Sequence, residues 1–482
     1  MSKRRYLVGI EVGAAALAVL LASLNLVHGN LNQDEGWYLY AAKMVNEGAK
    51  PYVDFAFTQG PVLPCVYGML YPVIDALGVA GGRLLTAWFG VLAGMLAAGT
   101  AARMTERNKG FAFAAVLLLV CGNVYQSYFT TIVKTYGLCS FLLMGGFFAL
   151  TFRRWHGPVL AGVLMALAAG TRLSAGIVLP ITGIWLISQR ERRLDWLWFG
   201  MGGGLTLLAV FAPFFVSAFE QTIFGLLGYH AGRDPGGMKE LLVHKMGFIS
   251  RFVQAYFVFT GLLLATICWH PRQYDRNSGM HLMWISGIGI SLVHFAAAFP
   301  YDDYQAIAYP VLAVALVVCL IPNMDEAWLT PVLSFLFLAS VAAAFSSPIN
   351  QDWFVRGRDR IWWEFKEKSD LALLHDASHI VRAGSPEGSL LLTQDVYLAV
   401  EAGRRVPPGL EMGPFCYYPA MPRERAAKLH LLNRDMLLET LASAEAPLAA
   451  FSGYGLAIES PSIVAVDEAD AALFRKHLEQ GY

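Results

Sequence analysis

Asp34 and Glu35 are adjacent carboxylates where a first apolar run, residues 6–28, gives way to the polar stretch LNQDEGWYLYAAKMVNEGAKPYVDFAFTQGPVLP, residues 31–64. Held at a bilayer surface, such a pair suits proton abstraction or cation binding on a substrate that is half lipid and half polar. Four other groups of residues could carry chemistry. Lys134 lies in QSYFTTIVKTYG (126–137), and Arg172 interrupts two apolar runs in AAGTRLSAG (168–176). His230 and Arg233 sit beside glycines in YHAGRDPGG (229–237), and Asp302, Asp303 and Tyr304 lie in PYDDYQ (300–305). Lysine, arginine and histidine can donate charge-assisted hydrogen bonds to a phosphate. An arginine within apolar runs is costly, so a site role or a paired partner is the default expectation.

Each of these residues also has a plain structural reading. Asp34 is a natural helix N-cap, worth about 1 kcal/mol, and Glu35 complements the helix dipole. From Asp34 onward, Trp37, Ala41, Met44, Val45 and Gly48 fall on one stripe, the spacing of a helix lying on a membrane. Lys134 can snorkel from a helix end, His230 and Arg233 can belong to an ordinary surface loop, and Asp302 and Asp303 can end a helix or pair with Arg172.

These residues must be positioned by membrane-spanning helices. Of the 482 residues, 56% are apolar, which excludes an average soluble protein. The apolar residues come in runs able to cross a hydrocarbon layer of about 30 Å as helices. Eleven are expected: 6–28, 83–103, 110–130, 135–152, 158–171, 173–188, 196–218, 251–269, 280–299, 306–321 and 328–346. The first is long and lacks a small-x-small cleavage site, so it reads as an anchor rather than a signal peptide.

Basic residues orient the bundle. Lys3, Arg4 and Arg5 precede the first run; Arg103, Arg107 and Lys109, then Arg153 and Arg154, then Arg190, Arg192 and Arg193, then Arg272 and Arg276 fill alternate connections. The positive-inside bias makes these connections and the N-terminus cytoplasmic. Stretches 29–82, 219–250 and 300–305, and the tail, are then external, in a multi-pass protein of the inner or plasma membrane.

The expected fold is an all-α polytopic bundle over residues 1–346 with a small C-terminal α/β domain, 347–482, on the external side. The tail has no spanning run and carries 14 Lys+Arg against 19 Asp+Glu, an acidic balance that speaks against nucleic acid. SLLLTQ (389–394) and PLAAF (447–451) read as buried strands between helices near 366–382, 424–443 and 467–479. The six cysteines are scattered with no CxxC or zinc spacing, and only Cys65 and Cys416 are expected outside. His375 and His379 share a helical face without a third ligand, the pattern of a solvated surface. There is no P-loop, no G-x-S-x-G elbow, no HExxH and no dinucleotide fingerprint. Gly202 to Gly204 lie inside a run and suit close helix packing.

The pattern Asp-Glu-x-x-Tyr, then Gly-x-x-Pro-Tyr-x-Asp, then Gln-Gly-Pro, directly after a first span, resembles the first external loop of the C-type (GT-C) membrane glycosyltransferases, the protein mannosyltransferase and aminoarabinose transferase branch above all. The matching residues are Asp34, Glu35, Tyr38, Gly48, Pro51, Tyr52, Asp54, Gln59, Gly60 and Pro61. The resemblance covers roughly residues 1–310. It implies a sugar donor carried on polyprenyl phosphate, an inverting transfer on the external face, and an acidic residue matching Asp34 that activates the acceptor hydroxyl. Glu35 remains an alternative base. Tyr38, Tyr52, Asp54 and Gln59, with Asp302, Asp303 and Tyr304, are then candidates for substrate contact. Lys134, Arg172, His230 and Arg233 are candidates for the donor phosphate, with a basic residue near Arg172 implied by the family.

The chain departs from the family where many members carry a carboxylate before the fourth span: residues 126–137 offer Lys134 and no acid. A two-carboxylate metal site does not follow, and a lysine there can act on the phosphate instead. No cofactor is called for, although the chemistry leaves room for a divalent cation. The expected partners are a polyprenyl-phosphate sugar, membrane lipid, and a lipid, glycan or protein acceptor. Two other readings are an oligosaccharide transferase of the same fold and a lipid-linked sugar transporter or flippase. A transporter calls for paired repeats and midplane charges, whereas here the polar residues gather on one face. A non-catalytic scaffold gives no reason to hold Arg172 within apolar runs.

Overall fold

The computed structural model describes residues 3–189, 191–192, 194–234, 236–269, 278–345, 367–452 and 458–482. Arg190, Arg193, Arg272 and Arg276, on which two of the basic connections rest, lie outside the described residues, as does the start of the tail up to residue 366. The chain packs as two units. One gathers Met1–Asn30, Leu84–Val210 and Met238–Lys366; the other gathers Leu31–Arg83, Phe211–Gly237 and Glu367–Tyr482. The first polar loop and the tail therefore share a unit, across a sequence cut at residue 346.

In chain order the helices up to the tail are α1 (Lys3–His28), α2 (Gln33–Asn46), α3 (Val62–Met69), α4 (Tyr71–Met104), α5 (Lys109–Cys121), α6 (Val124–Phe129), α7 (Thr135–Leu150), α8 (His156–Thr171), α9 (Val178–Ser188), α10 (Asp195–Ser217), α11 (Phe219–Ile223), α12 (Tyr229–Ala231), α13 (Met238–Ala255), α14 (Phe257–Trp269), α15 (Ser278–Ala296), α16 (Tyr309–Leu320) and α17 (Glu326–Phe345). Among the described residues five helices are long and apolar enough to cross a membrane: α1, α4, α10, α15 and α17. α13 and α14 make a sixth if counted as one broken span. The remaining apolar runs form shorter helices. The run expected at 110–130 breaks at Gly122, where the Asn123 side chain accepts from the Gln126 amide and starts α6. The run expected at 251–269 is also not one helix, because α13 extends back to Met238 and meets α14 at 87°.

The first unit is built around helices apolar on every face. In α5 and α16 nearly all side chains are buried, as befits a bundle centre. On α10, by contrast, Trp196, Leu197, Met201, Leu205 and Leu208 are exposed, an apolar surface that only lipid would cover. Small residues let helices meet backbone to backbone. A Cβ on Gly162 of α8 would come 2.2 Å from the Phe199 carbonyl of α10, and one on Gly202 would come 2.4 Å from that of Val159. Gly202 thus serves packing, as its run suggested, while Gly204 faces open space.

In the second unit α2 begins two residues earlier than expected. Asn32, not Asp34, is the N-cap: its side chain accepts from the Asp34 amide at 3.0 Å, and Glu35 accepts from the Asn32 amide at 3.0 Å. This reciprocal capping box places Asp34 in the first turn. The helix also carries no free membrane-facing stripe, since Trp37 to Ala42 are all buried. Cover comes from several sides: Trp37 packs on Phe57 and Phe415, Gly68 of α3 lies against Val45 and the Ala42 carbonyl, and a Cβ on Gly36 would meet the Tyr397 amide nitrogen at 2.3 Å.

In the tail, β1 (Leu391–Leu392) pairs in parallel with β2 (Leu448–Ala449), placing Leu391 opposite Leu448. A second, antiparallel pair joins β3 (Ile458–Glu459) to β4 (Val464–Ala465). The helix expected over 424–443 is two, Arg423–Lys428 and Arg434–Ser443. His430 takes a left-handed φ of 57° between them, and the Asn433 side chain caps the second by accepting from the Met436 amide.

Candidate active site

Two polar clusters, one in each unit, take in most of the residues singled out from the sequence. In the second unit the acidic pair is divided between two roles. Glu35 is fully buried and forked by Arg83, whose Nε donates to Oε2 at 2.7 Å and whose Nη2 donates to Oε1 at 2.6 Å. The capping bond from Asn32 falls on the same Oε1. Bidentate geometry with an additional amide donor is what allows a buried ion pair to hold. Asp34 is only partly buried, and its Oδ1 accepts from the Trp37 indole at 3.3 Å. It lies in the first turn of α2.

The loop after α2 is shaped by unusual backbone. Tyr52 has a φ of 65°, uncommon for a tyrosine, and donates its hydroxyl to the Gln59 carbonyl. Asp54 is exposed and accepts from the Lys50 amide at 2.7 Å, so it closes the turn. His230 is brought to this loop by a π-helical stretch, Phe224–Gly228, in which a Cβ on Gly225 would sit 2.1 Å from the Phe57 carbonyl. His230 Nε2 lies 3.0 Å from the Thr58 carbonyl and 3.4 Å from the Gln59 side-chain Nε2. Arg233 stacks on the Tyr229 ring at 5.1 Å. Tyr38 is buried and stacks on Trp37 at 3.8 Å, as part of the helix packing.

In the first unit the second cluster is cationic. Lys134, buried in the extended residue before α7, pairs with Asp303 at 2.7 Å. Arg172, in the extended residue that ends α8, donates to the Thr135 hydroxyl at 3.2 Å. Its guanidinium lies 5.0 Å from the Tyr136 ring centre and 4.3 Å from that of Tyr304. Asp302 accepts from Arg251 at 3.1 Å and from the Tyr125 hydroxyl. Lys134, Arg172 and Arg251 thus gather with Asp302 and Asp303. Among the described residues no group of three or more His, Cys, Asp or Glu could hold a metal ion.

Sequence reading missed Arg83, Arg251 and Tyr125. Arg83 had a signal, because a basic residue at the expected outer end of a span runs against the positive-inside bias. Arg251 and Tyr125 had none, since only the fold brings them to Asp302.

This architecture is the C-type membrane glycosyltransferase fold, the fold that the resemblance in residues 34–61 implies. The particular likeness is to ArnT from Cupriavidus metallidurans. The crystal structure of ArnT bound to undecaprenyl phosphate matches with a TM-score of 0.59 at 13% identity, over 89% of this chain and 90% of that one. Its apo state matches with a TM-score of 0.59 at 14% identity, over 92% and 93%. An Archaeoglobus fulgidus oligosaccharyltransferase matches more loosely, with a TM-score of 0.45 at 14% identity over 92% of this chain and 71% of that one. No protein-family model matches the chain, and neither does any curated protein sequence. The chain is an integral membrane protein with several apolar helices.

Proposed function

We propose that this protein is a glycosyltransferase that moves a sugar from a polyprenyl-phosphate donor to an acceptor at the membrane surface, with Asp34 as general base. The observation that carries the assignment is the division of the acidic pair. Glu35 is committed to Arg83 and the helix cap, whereas Asp34 stands partly exposed in a helix first turn. A single displacement follows: Asp34 takes the acceptor proton, the acceptor oxygen bonds to the anomeric carbon, and the bond to the donor phosphate breaks with inversion. The departing lipid phosphate gains negative charge, which Arg172 and Lys134 suit. His230 and Arg233 are further phosphate candidates, and Tyr52, Asp54, Gln59, Asp302, Asp303 and Tyr304 border the candidate clusters as substrate contacts. ArnT, crystallised with undecaprenyl phosphate, supports a donor of this lipid class.

The same reading takes residues 1–346 as eleven crossings from a cytoplasmic N-terminus, the shorter helices included. Loop 29–82 and the α/β tail, 347–482, then stand on the external side, where the tail bears on acceptor choice. The reading is tested by incubating purified protein with a panel of polyprenyl-phosphate sugars and lipid, glycan and peptide acceptors, with products read by mass spectrometry. Transfer from a lipid monophosphate donor, lost in Asp34→Asn, is the expected result. Transfer of a whole oligosaccharide would favour a ligase, and no transfer from any donor would overturn the reading.

A further inference from the structure

His294, in the last turn of α15, is 2% exposed and has no part in the reading above. Its Nε2 meets the Ser174 hydroxyl at 2.8 Å, two residues beyond Arg172. Its ring packs on Tyr304 at 5.3 Å, the same ring that Arg172 covers at 4.3 Å. Among the described residues no group hydrogen-bonds its Nδ1, although that atom is buried. A buried polar atom left without a partner destabilises a fold unless something else meets it. Neighbouring contacts tie down the end of α15 around it. Lys245 donates to the Phe295 and Ala297 carbonyls that end α15, and Ser291 donates to Gln305 at 2.9 Å.

We infer that His294 is a binding residue for the lipid phosphate, donating from Nδ1 beside Arg172; the inference rests on the function proposed above. A serine hydroxyl can donate as well as accept. With Ser174 donating to Nε2, a neutral His294 carries its proton on Nδ1, where it is a donor and suits a phosphate oxygen. The neighbouring groups favour the same ligand. Arg172 and Lys134 supply positive charge, and a neutral imidazole adds direction without a third buried charge. A sugar hydroxyl gives no comparable reason for the cations to gather.

The test is binding of undecaprenyl phosphate to the purified full chain in nanodiscs, with inorganic phosphate and an uncharged polyprenol as competitors. His294→Gln keeps a polar group near the Nε2 position to meet Ser174 but loses Nδ1, and is expected to weaken binding on the order of 10-fold while melting stays near wild type. His294→Asn, whose amide can reach the Nδ1 position, is expected to retain most of the affinity. His294→Phe keeps the ring shape and repeats the test if the Gln variant does not fold. Wild-type affinity in both the Gln and Phe variants would overturn the inference alone, whereas a wild-type protein that binds no polyprenyl phosphate would overturn the proposed function itself. Competition by inorganic phosphate supports a site that reads phosphate. Equal competition by the uncharged polyprenol overturns it.

Discussion

Replacing Arg83 by Met separates the carboxylate held in an ion pair, Glu35, from the one proposed as base, Asp34. Arg83 and Glu35 are both fully buried, joined by two bonds of 2.7 and 2.6 Å, with a third donor from Asn32. Removing one partner of such a pair strands a charge in a low-dielectric interior and costs about 3–5 kcal/mol. At about 2–4 °C per kcal/mol for a unit of this size, the melting temperature should fall by roughly 10 °C. The Glu35→Gln, Arg83→Met double variant removes both charges and should recover part of that loss, a coupling of about 1–3 kcal/mol. Asp34→Asn should behave in the opposite manner. Its melting point should hold, because the cap runs through Asn32 and Glu35, while turnover falls by about 10²-fold or more if proton transfer is lost. The assay is thermal unfolding in detergent for all four proteins, with turnover measured on Asp34→Asn and on the double variant. If Arg83→Met costs less than about 1 kcal/mol, or the double variant is as unstable as both singles added, the pair is not the clamp described. A fully active Asp34→Asn protein would remove the base.

Three further outcomes are expected. Arg172→Gln should weaken donor binding together with turnover, and Arg172→Lys should not restore it, since a compact ammonium cannot replace a planar guanidinium beside Tyr136 and Tyr304; donor titrations of both variants check this. Burial pushes the Glu411 carboxyl in the tail up to about 7 despite the Gly409 amide that favours its charged form, so the folded state holds a proton that the unfolded state has released. Stability should therefore be full below the ordinary glutamate value and fall as pH rises towards and past 7, by up to about 3 kcal/mol; Glu411→Gln should flatten the dependence of melting temperature between pH 5 and 8.5. Cysteines placed at the exposed positions Arg107 and Glu387 should react oppositely with an impermeant reagent added from outside, position 387 labelling and 107 staying protected. Labelling at 107 with sparing of 387 would sink the orientation.

What the sequence disclosed follows from how local each signal is. Apolar runs determine helices one residue after another, so among the described residues the expected spans fall largely on helical backbone; their lengths were less legible, because a Gly122–Asn123 break or the 87° turn before α14 changes hydropathy very little. The Asp34–Glu35 pair and the Gln-Gly-Pro segment were visible as a motif, yet the motif could not assign roles. The structure gives the cap to Asn32, a residue type that caps as well as aspartate, and Arg83, 48 residues along the chain from Glu35, binds that carboxylate. The cationic cluster was half legible: Arg172 and Lys134 stood out as charges where charges are expensive, and Asp302, Asp303 and Tyr304 as a polar stretch, but Arg251 and His294 are brought to them only by the fold. The expected membrane-surface stripe on α2 failed for a related reason. The stripe is covered by protein instead: Trp37 packs on Phe57 and on Phe415 of the tail, and Val45 lies against Gly68 of α3. In each case the chain advertises the residue whose burial or charge is costly. It conceals the partner that makes the cost tolerable, as Arg83 does for the buried Glu35.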